Sequence, residues 1–169
     1  IPAAGPIKEE DREFVQYVFE KLIHAGKLAN KPEAVKAYIE RARKLLGKED
    51  TFADTQLAMF LWKQGSMREA LSLIRALRVG RPNDISLLRL EATLLVDTGQ
   101  ADTAVELIRK SKRPRPTAEK TGGGEAVVVS PADEFSDLLF ISNLYTRAKR
   151  GRDAIETANQ ALSLASGTE

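Results

Sequence analysis

The chain has 169 residues, 43% of them hydrophobic and 30% charged, which suits one folded domain with a core and is too apolar for general disorder. Twenty-six basic residues against 24 acidic residues leave a formal charge of +2, which gives no basis for nucleic-acid binding by counterion release. The absence of cysteine excludes disulfides, thiolate metal sites and cysteine nucleophiles.

No apolar run approaches the roughly 20 residues that a membrane helix requires. The sequence starts at Ile1 without a methionine, so we expect a trimmed chain, a processed chain or the soluble part of a longer protein. Cytoplasmic and periplasmic locations both fit, and an upstream signal or anchor stays open.

The first 50 residues predict a pair of helices. Residues 7–25 form the first, the sequence LANK a turn, and Pro32–Leu46 the second, with proline in its permissive first turn. Ala34 and Tyr38 have the spacing found in the second helix of the repeat described next. The first helix lacks that repeat's signature and the segment is about two residues too long, so we interpret residues 1–50 as a degenerate repeat or cap.

Residues 51–84 and 85–112 share one pattern at an interval of 34 residues. An internal period of this length is typical of helical repeat proteins. The matching pairs are Ala58 and Ala92, Leu61 and Leu95, Gly65 and Gly99, Ala70 and Ala104, Leu73 and Leu107, and Ile74 and Ile108.

Each copy predicts a helical hairpin. Leu57 and Leu61 share one face of a first helix, and Gly65 follows where a left-handed cap residue ends it. Ser66 and Glu69 have the spacing of a capping box that opens the second helix. Gly80 and Pro82 then stop that helix, because proline lacks the amide donor that a continuing helix needs.

Residues 113–134 are rich in Pro, Gly and charge and predict a mobile connector, in which Val127–Val129 either pairs as a short strand or packs into a groove. A third copy follows at 135–169. Lys149 occupies the place of the turn glycine and Gly151 comes two residues late, which predicts a shifted helix junction.

Leu57, Ala58, Leu61, Gly65, Ala70, Ile74 and Pro82 together resemble a tetratricopeptide repeat, and the second and third copies extend the resemblance. The resemblance implies an all-α, right-handed superhelical solenoid of antiparallel helix pairs, with all five segments in one domain. It also implies a concave groove lined by the first helices, which would bind a peptide segment of a partner.

The resemblance places groove residues on three first helices. Of these, we expect the following to contact a partner: Phe52, Gln56, Met59, Lys63, Arg89, Leu90, Thr93, Asn143 and Arg147. Thr55, Ser86, Asp97, Ser136, Leu139 and Phe140 complete the same surface. The fixed clamp that some members use for the carboxylate tails of chaperones is absent, because Thr55, Met59, Leu90, Ser136 and Phe140 occupy its places.

The residues give no pattern typical of catalysis. His24 is the only histidine, which excludes a two-histidine metal site, and the sequence TGGGE lacks the Lys-Ser/Thr of a phosphate-binding loop. We therefore expect no catalytic residues, no metal and no cofactor.

The sequence thus favours a non-enzymatic protein interaction scaffold, such as an assembly factor or a secretion-type chaperone. One alternative is an RNA-binding array of the pentatricopeptide type, whose repeats usually step by about one residue more than the interval here. Another is a self-associating repeat, in which the C-terminal helix Asp153–Ala165 exposes an apolar stripe that stacks two chains as a homodimer.

Overall fold

The computed structural model describes residues 7–47, 50–111 and 131–166. Within these ranges the chain forms eight α-helices and no strand. None of the helices there is long and apolar enough to cross a membrane. The helices are α1 (Glu9–Leu28), α2 (Pro32–Leu46), α3 (Phe52–Lys63), α4 (Met67–Gly80), α5 (Ile85–Asp97), α6 (Ala101–Lys110), α7 (Pro131–Arg147) and α8 (Gly151–Ser166).

The chain divides into two compact units, Ile1–Leu77 (unit 1) and Arg78–Glu169 (unit 2). The division falls within α4 and not at the repeat boundary between residues 84 and 85. The organisation of all segments as one domain stays a prediction.

In unit 1, α2 packs against both α1 and α3. Apolar side chains from all three helices form one buried cluster, to which the half-buried Phe52 and Leu57 are added from α3. The buried members are Phe19, Ile23, Val35, Ile39, Ala42, Leu46, Ala53 and Phe60.

In unit 2, α5 packs against α6, α7 contacts both of these helices, and α8 packs against α7. Leu94 and Leu95 of α5, Ile108 of α6 and Ile141 of α7 are almost fully buried. Each unit therefore encloses an apolar core of its own.

All four helix pairs turn in the same way. Gly65 and Gly99 have positive φ angles of 85° and 81°, as predicted, and Asn30 and Lys149 take the same left-handed conformation at 51° and 59°. After Lys149, the amide of Arg150 donates to the carbonyl of Tyr145 at 2.9 Å, the six-residue closure that also follows both glycines.

The predicted shift of the third junction is therefore wrong. α7 ends two residues before Lys149 and α8 begins two residues after it, as at Gly65 and Gly99. The chain keeps the turn and places a lysine in a conformation that costs a residue with a Cβ about 1–2 kcal/mol.

The turn of the N-terminal helix pair lies in a different register from the one predicted. α1 continues to Leu28, three residues beyond the expected end at Ala25. Asn30 precedes Gly65 by 35 residues, so the pair exceeds the period of 34 by one residue and not two. Val35, and not Ala34, is the fully buried residue five positions after the turn.

The connector is also shorter than predicted, because α7 begins at Pro131 and takes the last four residues of the range 113–134. Val127–Val129 and the rest of the connector lie outside the described residues.

Candidate functional site

Two of the expected groove cations, Arg89 and Arg147, make ion pairs between α5 and α7 of unit 2. Arg147 forms a bidentate pair with Asp97, whose Oδ2 accepts from Arg147 Nη2 at 2.7 Å. This hydrogen bond raises the pKa of the Arg147 guanidinium above its usual value. Both groups stabilise one geometry between the helices, so Arg147 reaches any external anion only in competition with Asp97.

Arg89 is held more closely still. Its Nη2 donates to Ser136 Oγ at 2.7 Å, Asp137 lies at 3.6 Å, and the guanidinium stacks 5.1 Å from the centroid of the Phe140 ring. The aromatic face and the carboxylate both stabilise the charge of this guanidinium, although its Nε is buried without a hydrogen-bond partner. These contacts bring Arg89, Ser136 and Phe140 together, but they brace α5 against α7.

The other expected residues of unit 2 differ in exposure. Thr93 is half-buried, and its hydroxyl donates to the Arg89 carbonyl at 2.8 Å within α5. Leu90 is half-buried, whereas Asn143 and Leu139 of α7 are exposed. Asn143 is thus the expected polar residue of α7 that a partner reaches most directly.

In unit 1 the expected residues all lie on α3. Phe52 packs against the buried cluster, and Met59 is half-buried. Gln56 Oε1 accepts from Lys27 Nζ at 3.4 Å, and Lys63 at the end of α3 is exposed. Of the four, Lys63 is the most accessible to a charged group.

Lys63 also lines a small cavity that sequence reasoning missed. This lysine pocket has a volume of about 160 Å³ and lies between the α1–α2 turn and the end of α3. It combines three lysines, two amides and an apolar floor, namely Lys27, Lys31 and Lys63, Asn30 and Gln64, and Val35 and Phe60. The only signal in the sequence was the pair of lysines that flank the turn.

Burial, and then the nearby charge of Lys63, lowers the pKa of the Lys27 ammonium. Desolvation disfavours the charged form of a lysine, and a second cation adds to that effect. The pocket therefore holds positive charge at a cost to the folded protein.

Two further polar clusters were not predicted. Asp50, nearly buried ahead of α3, accepts from Arg12 Nη1 at 3.0 Å, from Gln16 Nε2 at 2.8 Å and from the Phe52 amide at 2.8 Å. In unit 2, the buried Glu91 pairs with Arg78. Every acceptor in the first cluster faces a donor of the protein itself, so we interpret both clusters as structural.

The described ranges contain no group of three or more His, Asp or Glu residues that could hold a metal ion. His24 is exposed on α1.

No protein-family profile matches the chain, and no curated protein does. Solved structures, in contrast, match the chain in fold. MamA residues 41 to the end from Desulfovibrio magneticus RS-1 has a TM-score of 0.56 and 15% identity, covering 89% of this chain and 75% of that one. A second, the MamA RS-1 ArsTM double mutant, has a TM-score of 0.56 and 16% identity over the same shares.

MamA is a helical solenoid like those of the tetratricopeptide repeat. The likeness, together with the helices described here, confirms the predicted fold class: the chain has an all-α, TPR-like repeat fold. At this identity the likeness concerns the fold alone.

Proposed function

We propose that this protein is a non-enzymatic scaffold that binds a segment of a partner protein on the first helices of its repeats. The observation that carries the proposal is a division of roles within each helix pair. The second helices supply fully buried residues at a repeated position, Ile39, Ile74 and Ile108, whereas the first helices also present mixed polar and apolar side chains that the cores do not use.

The proposed contact surface is defined separately in each unit. In unit 1 it consists of Gln56, Met59 and Lys63 on α3. In unit 2 it consists of Leu90 and Thr93 on α5, with Leu139 and Asn143 on α7. Such a mixture of apolar anchors and hydrogen-bonding groups suits a peptide segment better than a compact small ligand.

Arg89 and Arg147 contribute to this surface mainly by fixing α5 against α7. Truncating either would remove an ion pair that Asp137 or Asp97 makes between the two helices, so their variants confound binding with stability. Lys63 and Asn143 are cleaner probes, because both are exposed and neither has a charged partner within the described ranges.

The test is affinity capture from the native host with four baits: wild type, Lys63→Glu, Asn143→Ala and the control Lys44→Glu. Lys44 is an exposed lysine of α2, a second helix, and its substitution makes the same charge change on a helix that is not part of the proposed surface. We expect one partner to bind wild type and the control, and to be lost or depleted with Lys63→Glu. Equal capture by all four baits would refute the proposed surface.

A second candidate function, self-association, has one supporting observation. Ile155 and Leu162 on α8 are 67% and 63% exposed and lie two helical turns apart, so they form the apolar stripe predicted for the C-terminal helix. Sedimentation velocity over a hundredfold range of concentration tests it. A monomer throughout would exclude this function, and a dimer that Ile155→Glu dissolves would support it.

RNA binding by a pentatricopeptide-type array has no comparable observation in its favour. A salt-dependent gel shift with single-stranded RNA would revive it and would displace the scaffold proposal.

A further inference from the structure

The lysine pocket concentrates positive charge that no acidic side chain of the described residues neutralises. Lys27 Nζ reaches only the neutral Gln56 amide, at 3.4 Å, and neither Lys31 nor Lys63 makes an ion pair within the described ranges. Elsewhere in unit 1, Arg12 and Arg43 pair with aspartates.

This arrangement lowers the stability of the folded protein when no ligand is bound. Burial and the charge of Lys63 both lower the pKa of Lys27, which means that the folded protein holds that proton less tightly than the unfolded chain does. A group that costs stability and makes no internal pair is typical of a site kept for a ligand.

The size and floor of the pocket indicate which anion fits. About 160 Å³ has room for roughly five waters at ~30 Å³ each and is smaller than the 300–1,000 Å³ typical of pockets for drug-sized ligands, so a single small group suits it. Val35 and Phe60 provide an apolar floor on which methylene groups can pack. A carboxylate on an aliphatic stem uses both features, whereas inorganic phosphate uses only the charge.

We propose that the lysine pocket binds the side-chain carboxylate of a glutamate in an acidic partner segment. Lys27, Lys31 and Lys63 neutralise the carboxylate, while the Asn30 and Gln64 amides donate hydrogen bonds to it. The inference rests on the proposed function, since it names the chemistry of the segment that the α3 surface receives. None of these residues belongs to the positions that the family resemblance gives to a chaperone-tail clamp.

The pocket can be tested without the partner. The ¹⁵N-labelled full chain is titrated, at constant ionic strength, with N-acetyl-glutamate N-methylamide, with the neutral glutamine analogue, and with inorganic phosphate. We expect saturable shifts of the Gly26, Asn30 and Gln64 amides with the glutamate compound at millimolar concentration, none with the glutamine analogue, and weaker ones with phosphate. Absence of saturable shifts at these amides, or tighter binding of phosphate, would overturn the assignment.

Variants separate the pocket from the general charge of the protein. Lys27→Met and Lys63→Gln should each weaken binding about tenfold, the effect of one charge-assisted hydrogen bond. Lys21→Gln, with the same change of charge outside the pocket, should leave it unaltered. Equal weakening by Lys21→Gln would show that only net charge attracts the ligand and would refute the pocket.

Lys27→Met carries a second readout. Because it removes a desolvated cation that Lys63 repels, it should raise the urea midpoint of the free protein while it weakens binding. If this variant misfolds, Lys63→Gln, which changes an exposed side chain, still decides the matter. A partner that is captured equally by wild type and Lys27→Met, but is lost with Lys63→Glu, refutes this inference alone. Failure of capture together with binding of the glutamate compound refutes only the proposed function.

Discussion

Gly26 of α1 and Val35 of α2 reverse the residue sizes of the two clear repeats, which have the larger residue on the first helix and the smaller one on the second. In the two clear repeats the residue four before the turn is Leu61 or Leu95, and the residue five after it is alanine. In the first pair these positions hold Gly26 and Val35. A Cβ built on Gly26 would lie 2.8 Å from Val35 Cγ2, closer than real contacts allow, so the glycine makes room for the valine.

Gly26→Ala should therefore cost stability although alanine favours helix. Overpacking a dense core costs about 1–3 kcal/mol and the gain in helix propensity is about 1 kcal/mol, which leaves a net loss of about 1 kcal/mol. Val35 is 1% exposed, so Val35→Ala loses two buried methyl groups and leaves a cavity, at about 2–3 kcal/mol.

The double variant distinguishes most clearly between two independent sites and two sites that share one space. If the two sites were independent, Gly26→Ala with Val35→Ala would lose about 3–4 kcal/mol. Because the new methyl group enters the space that the valine vacates, we expect a loss of only about 1–2 kcal/mol, hence a favourable coupling of about 2 kcal/mol.

Urea unfolding measures all three variants. Trp62 is the only tryptophan and lies in unit 1 with both sites, so its fluorescence reports the relevant unit, while far-UV circular dichroism follows the whole chain. Gly80→Ala is the control, since a Cβ there meets open space and should change stability by no more than about 0.5 kcal/mol, in the favourable direction. Additivity of the two changes within about 0.5 kcal/mol would refute the proposed exchange of sizes.

Three further predictions concern single sites. Lys149→Gly should stabilise the chain by about 0.5–1 kcal/mol in urea unfolding, because it relieves the left-handed strain, whereas Lys149→Ala should bring no such gain. Glu91→Gln should lower the free energy of unfolding by about 3 kcal/mol, because the half-buried Arg78 loses the carboxylate with which it pairs. The control Glu106→Gln, in an exposed pair, should lower it by less than about 0.5 kcal/mol, and similar losses for the two variants would contradict this prediction. Lys27, which Lys63 and Lys31 face in the pocket, has a lowered pKa in the folded protein, so the free energy of unfolding should rise with pH from that lowered pKa up to the ordinary value near 10.4. The urea midpoint of Lys27→Met should therefore exceed that of wild type at pH 7 and converge with it near pH 10.5.

The features that could be predicted from the sequence are those with a local cause. Gly65 and Gly99 mark their turns because glycine accepts positive φ without strain. Lys149 carries no such mark, and its turn is imposed by the packing of α7 and α8 on either side. Asn30 is an intermediate case, since asparagine tolerates the left-handed region, but the absence of a glycine concealed the register of the first repeat.

The contact surface was harder to predict because its charges depend on contacts between distant segments. Arg147 meets Asp97 across 50 residues, and Arg89 meets Ser136 across 47, so no local pattern shows that these cations are already paired. The lysine pocket has the same origin, since Lys27 and Lys63 come together only when α3 lies beside the α1–α2 turn. Helix periodicity predicts which face a residue occupies, and it does not predict what stands opposite.

These pairings change where electrostatic recognition is expected. In unit 2, aspartates on the neighbouring helices neutralise the arginines of the first helices, so their charge contributes mainly to the fold. Within the described residues of unit 1, the lysines around the turn make no ion pair, and we propose that their positive charge serves a ligand. A partner with an acidic segment should therefore depend on Lys63 far more than on Arg89 or Arg147, even though all three occupy equivalent faces of their repeats.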